Sequence, residues 1–229
     1  MGIANKMEQN GRNISFAIKD CALVAMATGK KARNLPGMRS ELKTIPPASI
    51  YHHFWGGLLE PRFEEREYNN DFASWVRHGI HDAILAERLA ALDPTVVTDT
   101  EALRHEMIEL IETRLDEAEY LHWTGASHQF EFICSQIVVF DTKRSFEKPV
   151  DLAMAISGLS TSSIFYHFID ARRRTANRKD DFSEWLGDCG AGLAPLLGEL
   201  ANVDPWFTSL TELRGELSRV FENFFPEAA

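Results

Sequence analysis

Two histidines, His53 and His167, sit in nearly the same six residues: Ser49–Phe54 reads SIYHHF and Ser163–Phe168 reads SIFYHF, at an offset of 114. Imidazole is the side chain that titrates closest to neutral pH, so two of them brought together could bind a metal or serve as acid and base. The same placement has a structural reading, in which each ring hydrogen-bonds an aspartate at the next helix cap, Asp71 for His53 and Asp181 for His167. A pair that maintains the fold would recur for that reason alone, and this reading is preferred. His78 and His81 stand at i, i+3 on a predicted helix, a spacing that can aim two nitrogens at one ion. They lack the glutamate of an H-E-x-x-H arrangement, and Asp188 and Ala191 face them in the second half, so a solvated helix face is the better reading. No metal set and no cofactor is assigned.

The other candidate chemistry is anion binding. Behind SIFYHF comes IDARRRTANRKD, with Arg172, Arg173, Arg174, Arg178 and Lys179. Behind SIYHHF comes WGGLLEPRFEEREYNN, with Glu60, Glu64, Glu65 and Glu67. Guanidinium groups gathered before a helix N-terminus can hold phosphate or carboxylate. The plainer reading is a solvated charged loop, or an ion pairing between the two segments. His52 and Tyr166, which differ inside the hexamers, join Arg172, Arg173, Arg174 and Arg178 as ligand-binding candidates. The chain contains no P-loop, dinucleotide fingerprint, G-x-S-x-G elbow or His-Asp metal cluster, which leaves His53 and His167 as the sole catalytic candidates.

The elements that must position these residues follow the same offset. Phe16 falls on Phe130, Val24 on Val138, Thr28 on Thr142 and His53 on His167. After a shortening of four residues, Asp71, Phe72 and Trp75 fall on Asp181, Phe182 and Trp185. Leu89-Ala90 then matches Leu200-Ala201, Asp93-Pro94 matches Asp204-Pro205, and Leu103-Arg104 matches Leu213-Arg214. Matched blocks in one order at a near-constant offset point to an internal repeat. Each unit opens with a β-rich stretch; FEFICSQIVVFDTKRSF reads as a strand, whereas CALVAMA fits a strand or a helix. A short helix and a break at Pro46-Pro47 or Ser160–Ser162 follow. From Asp71 the apolar residues Phe72, Trp75, Val76, Ile80, Ile84, Leu85, Leu89 and Leu92 predict one continuous helix, on which Trp75 is core, as is Trp185 on its twin. Last helices begin near Thr98 and Thr208.

Composition narrows the partners. Hydrophobic content of 45% and charged content of 25% describe a folded chain, not a disordered one. A net charge of −10 argues against nucleic acid or an anionic membrane, because both would repel it. Cys21, Cys134 and Cys189 are odd in number and form no C-x-x-C, so they read as reduced thiols. No apolar run reaches bilayer length and the first residues show no signal peptide, so a soluble cytoplasmic protein is expected.

With these elements in place, NDFASWV at Asn70–Val76, preceded by His53 and by TGKKARNL at Thr28–Leu35, resembles a bacterial and archaeal family known only as a domain of unknown function. Its members carry an Asn-Leu segment, a later His-Phe or His-Val, an (N)DF-x-x-W helix and a Leu-Ala pair, here Leu89-Ala90. The second half keeps His167, Asp181-Phe182, Trp185 and Leu200-Ala201 but has Lys148-Pro149 in place of Asn-Leu. The resemblance implies a fold and a cytoplasmic habit and brings no catalytic residues.

The sequence thus predicts a mainly α chain with a minor β component (α+β), built of two closely packed strand-plus-helices units, residues 14–116 and 128–226, about a pseudo-two-fold axis. The expected function is a non-catalytic interaction or regulatory protein that binds a protein partner or a small anionic ligand, with a homo-oligomer also admitted. The alternative is an enzyme on a phosphorylated or sugar-like substrate, with His53 or His167 as acid/base and the arginines as anion site.

Overall fold

The computed structural model describes residues 15–59, 67–97, 99–206 and 209–226. It is mainly helical with one two-stranded sheet. Glu60, Glu64, Glu65, Thr98 and Thr208 lie outside the described residues.

Strands β1 (Phe16–Ala32) and β2 (Phe130–Phe146), each of 17 residues, pair antiparallel from Phe16 opposite Phe146 to Ala32 opposite Phe130. CALVAMA is strand because β2 supplies its partner: Cys21 lies opposite Val139 and Leu23 opposite Ile137. Side chains alternate across a strand, so one face of the ribbon turns Cys21 and Ser135 into the protein. The other face leaves Val24, Met26 and Phe140 about half exposed, at 48%, 47% and 50%.

Each strand starts among the helices of the opposite half. Phe16 packs its ring on Phe182 at 5.4 Å and Trp185 at 5.2 Å. Phe130 packs on Phe72 at 5.1 Å and Trp75 at 5.7 Å. Burying a Phe side chain contributes about 1.5–3 kcal/mol. These two anchors are therefore a strong tie between the halves.

In the first half the helices are α1 (Leu35–Leu42), α2 (Pro47–Trp55), α3 (Asp71–Trp75), α4 (Ala83–Ala90) and α5 (Thr100–Glu117). In the second they are α6 (Pro149–Ile156), α7 (Thr161–Ile164), α8 (Ala171–Arg174), α9 (Asp181–Cys189), α10 (Ala194–Ala201) and α11 (Leu210–Phe224). Asn34 caps α1 by accepting from Gly37 N–H, and Ser160 caps α7 by accepting from Ser163 N–H. SIYHHF is therefore helical, and so is SIFYHF, which enters a π-helical turn (Phe165–Asp170) that runs straight into α8. Arg172, Arg173 and Arg174 thus lie on a helix and not in a loop ahead of one. The backbone finds its hydrogen bonds in that π-turn and needs no loop.

The predicted helix from Asp71 to Leu92 is interrupted. A π-helical turn (Val76–Ile80) ends at His81, whose φ of 65° is left-handed. Asp82 then starts α4, its Oδ1 accepting from Leu85 N–H at 2.7 Å. Its carboxylate also pairs with buried Arg114 at 2.8 Å. The cap and the buried ion pair together outweigh the continuation that the apolar spacing favours. In the second half the matching break falls at Gly190, at φ 138°.

Arginines tie α5 and α11 to the turns ahead of the hexamers. Arg104 donates to Ile45 O at 2.8 Å and Arg214 to Leu159 O at 2.8 Å. Residues between α5 and β2 are bonded down, with Ala126 N–H to Arg33 O at 2.7 Å and Ser127 N–H to Gly79 O at 2.8 Å. A contiguous hydrophobic core runs through both halves. Among the described residues no helix is long and apolar enough to cross a membrane.

Candidate functional site

The two histidines form separate, matching clamps on the sheet. The strand register shifts after Ile18 and after Ala27, where a bulge leaves backbone groups without a ladder partner. Ile133 N–H donates to His53 Nε2 at 3.1 Å, and Lys19 N–H donates to His167 Nε2 at 2.8 Å. Thr28 Oγ1 donates to Phe132 O and Thr142 Oγ1 to Ile18 O, both at 2.6 Å. An Nε2 that accepts leaves the proton on Nδ1, which meets Asp71 at 2.9 Å and Asp181 at 2.7 Å. Both ring nitrogens are therefore engaged, and the two residues are only 3% and 2% exposed. His53 sits against Phe72 and Phe130, His167 against Phe16 and Phe182, so the pair does not meet at an axis.

Other candidates divide between these clamps and the surface. Arg174 bonds Asp170 at 2.9 Å, Asp181 at 3.0 Å and Tyr166 O at 2.9 Å, with its guanidinium 4.0 Å from the Tyr166 ring. Arg174 and Tyr166 thereby belong to the His167 clamp. His52 is buried beside His53 on α2, where only glycine fits at position 56, since a Cβ there would lie 2.7 Å from His52 Nδ1. Trp75 Nε1–H donates to His128 O at 2.8 Å. His78 is exposed and pairs with Glu67 at 2.8 Å, while the left-handed turn takes His81 off the helix. Among the described residues no group of three or more His, Cys, Asp or Glu could hold a metal ion.

Arg172, Arg173 and Arg178 come together in a cleft of about 440 Å³ between the halves. The first half supplies Tyr51, Phe54 and Trp55 from α2, Pro94, Thr95 and Val97 from the turn behind α4, and Asp99, Thr100 and Leu103 at the start of α5. The second supplies the arginines with Ile169, Thr175 and Pro205. Arg172 lies with its guanidinium 4.7 Å from the Phe168 ring centroid, and its buried Nε has no hydrogen-bond partner. Burial lowers the Arg172 pKa, opposed by Asp180, Asp204 and Asp93. Arg173 stacks over Tyr51 at 5.1 Å and bonds Asp170 at 2.9 Å. Burial, then the charge of Asp170, raises the Tyr51 hydroxyl well above its ordinary value, so it stays protonated and donates to Asp170 at 2.9 Å. Arg178 donates to Thr95 O at 3.1 Å across the cleft, from a left-handed backbone at φ 55°.

Sequence reasoning missed a residue that packs on two side chains of this cleft. Trp206 stacks on Phe54 at 5.6 Å and meets Trp55 edge-on at 4.8 Å. Pro94 and Pro205 align in the sequence, so Thr95 is the residue that matches Trp206. The indole of Trp206 packs beside Phe54, whereas at the matching Phe168 the group over the ring is Arg172. The available signal was the mismatch of a bulky aromatic with a small polar residue directly after the shared Asp-Pro.

No curated protein matches the chain. Among solved structures, OrfY from Thermoproteus tenax matches over 92% of this chain and 95% of its own, with 26% identity and a TM-score of 0.79. A match of that extent takes in most of both halves. A family model matches residues 13–222, from just ahead of β1 to the last turns of α11, and the chain belongs to that family of unknown function, DUF5752.

Proposed function

We propose that the protein is a non-catalytic binding module, made of a repeated unit, that holds a small anionic ligand in the cleft between its halves. The observation that carries this reading is the meeting of Arg172, a half-buried cation, with Arg173 and Arg178 on the wall of one cleft. A half-buried cation is screened less by water, so a charge-assisted bond to an oxyanion there is stronger than on an open surface. The engaged nitrogens of His53 and His167 support a structural role for both rings and count against the acid/base alternative. Three free cysteines fit a reducing compartment such as the cytoplasm.

Thermal unfolding in a series of phosphate and carboxylate compounds tests the reading. A ligand at about 100 times its Kd stabilises by about 2.7 kcal/mol. For a chain of this size that corresponds to a rise in Tm of roughly 5–10 °C. Arg172→Gln should abolish the rise and leave the unliganded Tm within about 2 °C. If no anion raises the Tm of the wild type, the cleft is not an anion site.

A further inference from the structure

Resting on that reading, we infer that the ligand is a phosphomonoester carried on an aromatic or heteroaromatic ring. Its phosphoryl group lies among Arg172, Arg173 and Arg178, and its ring lies against Trp55 and Pro94. The head follows from the donors. Three guanidinium groups converge, two of them held flat by stacking, Arg172 on Phe168 and Arg173 on Tyr51. Stacking on one face leaves guanidinium N–H groups at the rim for a ligand. Arg173 already donates Nε and Nη2 to Asp170 and Arg178 donates Nη2 to Thr95 O, so each of these two offers its remaining N–H groups. A carboxylate has two oxygens and one charge, whereas a phosphomonoester offers three terminal oxygens and up to two charges to three such cations. Asp99, also on the wall, is turned to the start of α5, where its Oδ1 accepts the Ala102 N–H at 2.8 Å, and its charge is outnumbered by the three arginines.

The body of the ligand follows from the remaining wall. Trp55, Pro94, Pro205, Val97, Leu103 and Ile169 are apolar, and Trp55 and the prolines are flat. The polar groups near them are largely committed: Thr95 Oγ1 donates to Asp93 Oδ1 and Thr175 Oγ1 to Lys179 O. A hydroxyl-rich body would leave its hydroxyls against carbon, and a ring would not. The volume of about 440 Å³ suits one ring system with one phosphate. Among the described residues the matching place in the other half is occupied differently. Trp206 fills the matching space beside Phe54, and Leu58 and Leu59 stand where the sequence offset puts Arg172 and Arg173.

The test is calorimetry and tryptophan fluorescence on the full chain with phenyl phosphate, adenosine monophosphate, glucose 6-phosphate, benzoate and inorganic phosphate. The expected result is one ligand per chain, with at least one ring phosphate binding ten-fold or more tighter than glucose 6-phosphate, benzoate or inorganic phosphate, and with changed emission from Trp55 and Trp206. The tighter of phenyl phosphate and adenosine monophosphate tells a simple aryl source from a nucleotide. Trp55→Phe should shrink the ring preference several-fold and leave inorganic phosphate unchanged. Glucose 6-phosphate binding as tightly as either ring phosphate overturns the ring, and benzoate doing so overturns the phosphoryl group; either result leaves the anion cleft standing. Silence from every compound overturns the anion cleft itself.

Discussion

His53 and His167 show how one residue type can carry a fold. Each ring bridges an aspartate of its own half and a strand N–H that the other half contributes at a bulge. Truncating the His53 ring leaves the Ile133 N–H without its acceptor, at about 1–3 kcal/mol, and opens a cavity between Phe72 and Phe130, while Asp71, 36% exposed, can turn to water. His53→Ala is therefore expected to cost about 3 kcal/mol in denaturant unfolding. Retention of the wild-type midpoint would return His53 to the list of candidate acids and bases. The partners Asp71 and Asp181 were legible in the sequence because they recur at the same place in both halves. That the second nitrogen takes a strand N–H from the opposite half was not, since no local pattern encodes a contact between residues 80 positions apart.

At the scale of the element, the bulges are the informative feature. Gly29 occupies the bulge after Ala27 at φ 77°, and Lys143, its match at the offset of 114, occupies the bulge opposite Ile18 and Lys19 at φ 61°. A left-handed backbone disfavours a side chain by roughly 1–2 kcal/mol. Gly29→Ala should therefore lower stability by about 1 kcal/mol, and Lys143→Gly should raise it by up to about that much. A pair of denaturation curves with unchanged slope would check both, and equal midpoints for wild type and Gly29→Ala would refute the argument. The strand β2 was legible from alternation and β-branched residues. For β1 local pattern did not decide, because CALVAMA is strand only by virtue of its pairing with Ile137–Val139. The helix break at His81 was hidden for a related reason. Apolar spacing runs through it unaltered, and what stops the helix is the pairing of Asp82 with a residue of α5. The arginines were legible as a cluster, but their sorting was not: acceptors on the π-turn and α9 draw Arg174 away and leave Arg172 to the cleft.

The whole molecule depends on exchange. Each helical half is completed by the first residues of a strand that belongs to the other, Phe16 among Phe182 and Trp185, Phe130 among Phe72 and Trp75. Either half alone would lack this aromatic anchor and the strand that pairs with its own. A chain divided at exposed Gly125 should yield fragments that unfold or aggregate singly and co-purify when expressed together. A lone first half with native-like circular dichroism and a sharp thermal transition would contradict this.

The same pairing bears on how the chain is made. Phe16 lies opposite Phe146, so β1 leaves the ribosome with its ladder partner still unsynthesised, and its anchor residues on α9 come later still. Multi-unit chains ordinarily gain from letting the first unit fold while the next is translated. This one cannot: its first apolar strand must wait, unpaired, through most of translation, and closing so long a loop slows the final pairing. The nascent chain is thus the stage at which the protein is most exposed to misassembly, and the stage at which it has most need of a chaperone.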